Sequence, residues 1–224
     1  AQKTKNVTLR RVNDEVSDMP EKMVIPMYYK LTEDQWDDYN QLWDDYLQKR
    51  VENNKKGDIK RDLVELILLR KFIAMQAIPQ TIELCENAIE CGKKVVIFTS
   101  FNDELDELAK HFGKSCVIHR GSMSTKKKQK SVDAFQNNDK VRVFIGNIKS
   151  AGVGITLTSG TVAIFNSYEW VPGWNLQSED RLYRIGQKNN VLIYYQLFEE
   201  TISVRIWETL RSKKIIISTI MGDR

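Results

Sequence analysis

The apolar positions of this chain fall into two regimes. From about residue 32 to residue 91 they recur at three- and four-residue spacing, which predicts helices. Thr32 and Gln35 fit a capping box, and Trp36, Tyr39, Trp43 and Tyr46 follow at helical spacing. The polar stretch QKRVENNKKGDIKR then reads as a loop or exposed turn. From Asp62 to Ile78 the chain is apolar nearly all round, which predicts a helix buried on several sides. Pro79 and Gly92 bracket a third helix, at the positions where a helix tolerates Pro and favours Gly.

The second half alternates short apolar runs with amphipathic stretches. VVIF (95–98), CVI (116–118), VRVFI (141–145), VAIF (162–165) and VLIYYQLF (191–198) read as buried strands. Between the first two, Leu105, Leu108 and Phe112 stripe one helical face, acids occupy the first turn, and Gly113 closes it. Ser124 or Thr125 caps a further helix that turns Val132 and Phe135 inward, and the tail from about Thr201 is helical and amphipathic. Strand–helix repetition with nearly continuous apolar strands implies an α/β fold, a parallel sheet covered by helices on both faces.

Composition narrows the class. With 42% hydrophobic and 29% charged residues and few Gly and Pro, 224 residues form a globular core and not a disordered chain. The net charge of +4 permits a polyanionic partner without demanding one. Cys85, Cys91 and Cys116 have no metal-like spacing and fit a reducing, intracellular setting. No apolar run approaches the roughly 20 residues of a membrane span. The opening AQKTKNVTLRR, basic and without Met, suits a segment of a longer chain.

The strongest chemical signal is QSEDRLYRIGQ, residues 177–187. Arg181 and Arg184, three apart, face the same way on a helical turn, and two guanidiniums so aimed suit phosphate oxygens. The bland reading is a solvated helix on which Glu179 and Asp180 pair with those arginines. Upstream, NIKSAGVGITLT (147–158) follows a predicted strand: Gly152 and Gly154 allow close backbone approach to a ligand, and Ser150 adds a hydroxyl at the strand's carboxyl end. VVIFTSF (95–101) brings Thr99 and Ser100 to the same edge, and HRGSMS (119–124) delivers Gly121 and Ser122 to a helix N-terminus, a natural phosphate seat.

In their order, VVIFTSF, HRGSMSTKKKQKSVDAFQ, SAGVGITLT and EWVPGWNLQSEDRLYRIGQ resemble the second lobe of Swi/Snf-family members of helicase superfamily two. The likeness covers roughly residues 93–222. It implies a RecA-like lobe over 93–200, a helical N-terminal extension over 1–92 and a C-terminal brace helix over 201–224. It further implies that ATP with Mg lies between this lobe and a first RecA-like lobe of the same protein, which supplies the phosphate-binding loop and the Mg-holding carboxylates. By that analogy Arg184 is an arginine finger supported by Arg181, while Gln177, Asp180 and Gln187 orient the arginines and link the cleft to the DNA path. Thr99, Ser100, Gly121, Ser122, Ser150 and Gly152 would line a path for duplex or branched DNA along the sheet's other rim. Lys126, Lys127, Lys128 and Lys130 would add sequence-independent attraction. The compartment follows the host: nucleus in a eukaryote, cytoplasm for a bacterial or viral host.

Two departures qualify the likeness. Ser167 stands where relatives usually carry an acid, and the short spacer before the first strand favours the compact fork-remodelling or annealing-helicase branch. Three motifs mislead. GKS (113–115) lacks the first Gly of a phosphate-binding loop, since position 108 is Leu, and it follows a helix instead of a strand. DELD (103–106) reads as helix capping instead of a Mg box, and Cys116 with His119 or His111 is too sparse for a metal site. Two rival functions remain at this level: a non-catalytic DNA- or protein-binding module, whose DNA binding would ignore ATP and both arginines, and a scaffold with no DNA binding.

Overall fold

The computed structural model describes residues 19–56, 59–152 and 154–221. The basic opening stretch lies outside the described residues. Six strands form one parallel sheet in the order β1-β6-β5-β2-β4-β3. They are β1 (Lys22–Tyr29), β2 (Val95–Thr99), β3 (Cys116–His119), β4 (Val143–Asn147), β5 (Val162–Phe165) and β6 (Val191–Phe198). Because every pair is parallel, all carboxyl ends share one edge. Among the described residues seven α-helices lie between them, α1 (Glu33–Lys56), α2 (Ile59–Gln76), α3 (Ile78–Glu90), α4 (Asn102–Phe112), α5 (Thr125–Asn137), the single turn α6 (Ile148–Ala151) and α7 (Pro172–Glu179), and α8 (Ile202–Met221) follows β6.

The strand pattern dictates two cores. Successive side chains of a strand point to opposite faces, so Val96, Phe98, Phe144 and Phe165 enter one core, with Tyr39, Leu69, Phe135 and Trp207. Val95, Ile97, Ile145 and Ile164 enter the other, with Leu105, Leu108 and Phe112 of α4. Each fully buried side chain of this size contributes about 1.5–3 kcal/mol relative to exposure. The capping box forms as read: Thr32 N–H donates to Gln35 Oε1 at 2.9 Å and Gln35 N–H to Thr32 Oγ1 at 3.3 Å. Among the described residues no helix is long and apolar enough to cross a membrane.

Three expectations are corrected. The N-terminal region is not wholly helical: β1 pairs with β6 along its full length, from Lys22 opposite Val191 to Tyr29 opposite Phe198. Pro26 is tolerated there because β1 is an edge strand, with a partner on one side only. The expected loop after Tyr46 is helical as far as Lys56. Finally, α2 is buried on one side only: Leu69, Ile73 and Ala74 face the core, while Val64, Ile67 and Leu68 stay 42–53% exposed.

Helical extension and brace are tied to the sheet by specific bonds. The Ile202 N–H at the start of α8 donates to Tyr39 Oη on α1 at 2.9 Å. Tyr168, just past β5, donates to the Ser203 carbonyl at 2.7 Å. Phe165 and Tyr195 stack at 4.3 Å, and Tyr195 meets Trp207 of α8 at 4.7 Å.

Candidate functional site

Helix α7 stops at Glu179, so Arg181 and Arg184 sit on the turns that follow it, not on a helical face. They nevertheless converge. Arg181 Nη1 donates to the Ile155 carbonyl at 3.3 Å and Arg184 Nη1 to Thr156 Oγ1 at 3.1 Å. Arg181 is also fastened from Nε to the Gln177 carbonyl at 3.0 Å, and its own carbonyl accepts from Leu157 N–H at 2.8 Å. Partial burial, then the neighbouring Arg184 charge, lowers the Arg181 pKa, opposed by Asp180. Arg184 is exposed and, among the described residues, makes no ion pair.

The bland reading of this motif fails at Glu179. Its carboxylate turns inward, accepting from Tyr195 Oη at 2.8 Å and from Lys22 Nζ at 3.3 Å, away from both arginines. Gln177 and Asp180 are exposed. Gln187 is buried and acts as a clasp: Nε2 donates to the carbonyls of Thr158, Gly160 and Leu182 at 3.0–3.2 Å, and Oε1 accepts from the N–H groups of Lys188 and Asn189. The turn it closes contains Gly186 at φ +101°, a backbone state that side chains disfavour.

The two glycines of SAGVGITLT differ. Gly154 is exposed at φ +72° beside a cleft of ≈ 370 Å³ that α5 and Thr156 also line. Gly152 is buried, and a Cβ there would lie 2.7 Å from the Ile148 carbonyl oxygen and 3.1 Å from Ser178 Oγ. The close approaches at Gly152 are therefore to α6 and α7 within the lobe, and the expected open backbone for a ligand is absent at this glycine.

At the carboxyl edge, Gly121, Ser122, Lys126, Lys127 and Lys130 are exposed and Lys128 is half-buried. Ser150 is half-buried and its Oγ lies 3.1 Å from Nδ1 of His119. Burial, reinforced by the Lys128 charge, pushes the His119 pKa down to about 4, so the ring is neutral at pH 7. Thr99 and Ser100 do not present hydroxyls to solvent. Both oxygens are buried, and the Ser100 N–H is spent on Glu104 and on Ser167 Oγ, each at 2.7 Å. Neither hydroxyl oxygen has a hydrogen-bond partner among the described residues, and neither faces the solvent side where phosphate contacts are expected.

Sequence reasoning missed the buried centre of this strand end. Glu104, at the third position of α4, does cap its helix, accepting from the N–H groups of Ser100 and Phe101. It is also completely buried and accepts from Asn166 and from the Ser167 hydroxyl, which binds β2 to β5. The carboxylate absent at position 167 is thus supplied from across the sheet edge. Asn166 in turn donates to the Ala74 carbonyl and accepts from Thr81, and Arg70 donates to the Tyr168 carbonyl while lying 4.8 Å over Trp170. Burial lowers the Arg70 pKa, opposed by Glu169 and Glu104. Among the described residues no group of three or more His, Cys, Asp or Glu could hold a metal ion.

A parallel sheet with this strand order, carrying paired arginines after α7 and small hydroxyl and glycine residues at the strand ends, defines a helicase-type second lobe. The model of the helicase conserved C-terminal domain matches residues 76–186. A Caenorhabditis elegans SWI/SNF-related matrix-associated actin-dependent regulator of chromatin subfamily A-like protein 1 homolog is 26% identical over 96% of this chain and 32% of its own length. An ATP-dependent helicase of Mycoplasma pneumoniae is 27% identical over 99% of this chain and 23% of its length. Among solved structures, the Sulfolobus solfataricus SWI2/SNF2 ATPase core in complex with dsDNA aligns with TM-score 0.72 and 27% identity over 96% of this chain and 50% of that one. The C-terminal part of the Fun30 ATPase domain shares the fold, with TM-score 0.66 and 18% identity over 86% of this chain and 90% of that one. Together these matches support a C-terminal, RecA-like lobe of the Swi/Snf family of helicase superfamily two. The chain spans a third or less of the length of these two curated relatives.

Proposed function

We propose that this lobe is the arginine-bearing half of a DNA-dependent ATPase motor that tracks along duplex or branched DNA. The observation that carries the reading is the convergence of Arg181 and Arg184 on the Ile155–Thr156 segment, with Arg184 exposed and free of any carboxylate among the described residues. A guanidinium held at one nitrogen by a neutral hydroxyl keeps its remaining donors for phosphate oxygens.

These residues fit one side of an ATP site. Arg184 supplies the outward donors, Arg181 fixes the turn behind it, and Gly154 leaves open backbone beside Thr156. ATP with Mg, when bound between two lobes, supplies a transferable phosphoryl group, with Mg held by the partner lobe. Arg184 then neutralises charge that develops on the transferring oxygens, and Arg181 positions it. Exposed Arg184 does this only when a second lobe closes over it.

DNA recognition falls to the other rim. Ser122, Ser150 and the backbone at Gly121 offer neutral donors, and Lys126, Lys127 and Lys128 add charge, so binding would follow the phosphate backbone and weaken with salt. A neutral His119 that donates from Nδ1 leaves the Ser150 hydroxyl free to donate outward. The short connection into β2 supports the fork-remodelling or annealing branch.

The test is ATP hydrolysis by this chain alone and after mixing with a separately produced first lobe, with and without duplex DNA. Turnover only in the mixture, stimulated by DNA and lost in Arg184→Ala, is expected. DNA binding that ignores ATP and both arginines would instead establish a non-catalytic binding module.

A further inference from the structure

Beyond the phosphate-facing rim, a groove of ≈ 360 Å³ opens between α1, α2 and α8, with Trp170 from the β5–α7 connection in its wall. It lies on the β1–β6–β5 side of the sheet, whereas Ser122 and Ser150 follow β3 and β4. Among the described residues, three cations line it, Arg50, Arg205 and Lys213, and no carboxylate does. Among the described residues, neither Arg50 nor Arg205 makes an ion pair. The acids of α1 nearest in sequence, Asp44 and Asp45, are about 100° and 200° around the helix from Trp43 and do not line the groove.

The cations are set on rings. The Arg205 guanidinium lies 5.0 Å from the Trp43 ring centroid and that of Arg50 lies 5.9 Å from Tyr46. A guanidinium is planar, and at these distances over a ring it is held by cation–π attraction while N–H donors remain for phosphate oxygens. Ile202 and Ile206 of α8 add apolar wall. The groove therefore combines planar cationic shelves, an apolar wall and a positive rim.

We infer that this groove binds single-stranded nucleic acid, seating bases against the arginine-on-aromatic shelves and the apolar wall while backbone phosphates meet Arg50, Arg205 and Lys213. Unpaired bases are what such shelves recognise, because stacking on flat side chains tolerates any base and is strengthened by arginine. A duplex hides those faces in its own stack. An acidic peptide would satisfy the charges yet leave the flat shelves without a matching surface. The site is separate from the proposed ATP and duplex contacts, so neither ATP nor a second lobe is required for it.

The test uses the 224-residue chain and a fluorescein-labelled oligothymidylate of about 15 nucleotides, a length typical of single-strand site sizes. Fluorescence anisotropy is compared with that of a duplex of equal length, for wild type and for the double variant Arg50→Glu with Arg205→Glu. Both side chains are on the surface, and circular dichroism checks folding. Expected is at least about tenfold weaker oligothymidylate binding by the variant, with duplex affinity changed less than about twofold. Quenching of tryptophan emission by the oligothymidylate in the wild type is expected as well. Unchanged oligothymidylate binding, or an equal loss for the duplex, overturns the inference. So does displacement of the oligothymidylate by a polyglutamate peptide at equal charge concentration, which would make the groove a protein-docking surface. A Ser122→Ala and Lys126→Ala variant is expected to weaken duplex binding alone, and an equal loss of oligothymidylate binding would overturn the separation of the two sites.

Discussion

Arg184 donates from Nη1 to the Thr156 hydroxyl at 3.1 Å, joining the turn after α7 to a segment 28 residues upstream. The bond fixes where the guanidinium points without neutralising it. In the reassembled two-lobe motor, Arg184→Ala is expected to lower kcat about a thousandfold or more. Arg184→Lys should rescue little, because a point charge does not reproduce the fork. Thr156→Val should cost about fivefold, the worth of one neutral hydrogen bond. Since Arg184 is exposed, thermal melting of the lobe should shift by less than about 0.5 kcal/mol in either Arg184 variant. Steady-state hydrolysis alongside melting separates the two effects.

Gln187, by contrast, acts on the fold first. Its amide donates to three carbonyls and accepts from two N–H groups, and it closes the turn that presents Arg184. Gln187→Ala should destabilise the lobe by about 1–3 kcal/mol. Gln187→Glu should be worse, because a carboxylate would face the carbonyls of Thr158, Gly160 and Leu182 with no proton to donate. Urea titrations with an unchanged slope and a lowered midpoint would record the ranking.

These two residues show how far a sequence carries. The VAIF and VLIYYQLF runs are strands to the residue, because a continuous apolar run in an alternating α/β pattern has few other solutions. The edge strand KMVIPMYY escaped notice because Pro26 interrupts it and Met23 and Tyr28 remain exposed, so neither signal of a buried strand is present. The paired arginines are legible as a motif, but their helical-turn geometry is not, since α7 ends one residue before Asp180. The capping role of Glu104 is legible in its place in the first turn. Nothing in DELD distinguishes a solvated capping carboxylate from one sealed under Asn166 and Ser167, because that difference lies in what the distant strand β5 brings over it.

The sealing gives Glu104 a measurable weight. Its Oε1 takes the N–H groups of Ser100 and Phe101 and the Ser167 hydroxyl, and Oε2 takes Asn166. In Glu104→Gln the new amide would meet the Asn166 amide donor to donor. Asn166 cannot simply flip, since its Oδ1 already accepts from Thr81. A loss of about 1–3 kcal/mol is expected. Ser167→Asp, which restores an acid at the edge, would place two carboxylates together and should destabilise the wild type more than it does Glu104→Gln. A double-mutant cycle by denaturant titration measures that coupling.

Burial of His119 makes the stability of the lobe depend on acid pH. The ring is 1% exposed and its pKa falls from 6.5 to about 4, chiefly by burial. Between those values the unfolded chain binds the proton and the folded one does not, so stability falls as pH falls. The contribution is intact above about pH 6.5 and diminishes by about 3 kcal/mol on reaching pH 4. Glu104, raised by its own burial, binds its proton in the folded state first and so pulls in the opposite direction. His119→Asn removes only the first effect while its amide stands where Nδ1 meets Ser150. The difference in unfolding free energy between wild type and His119→Asn should therefore drift against the wild type by that amount from pH 6.5 to pH 4. A flat difference across this window would mean that the ring charges without leaving its site.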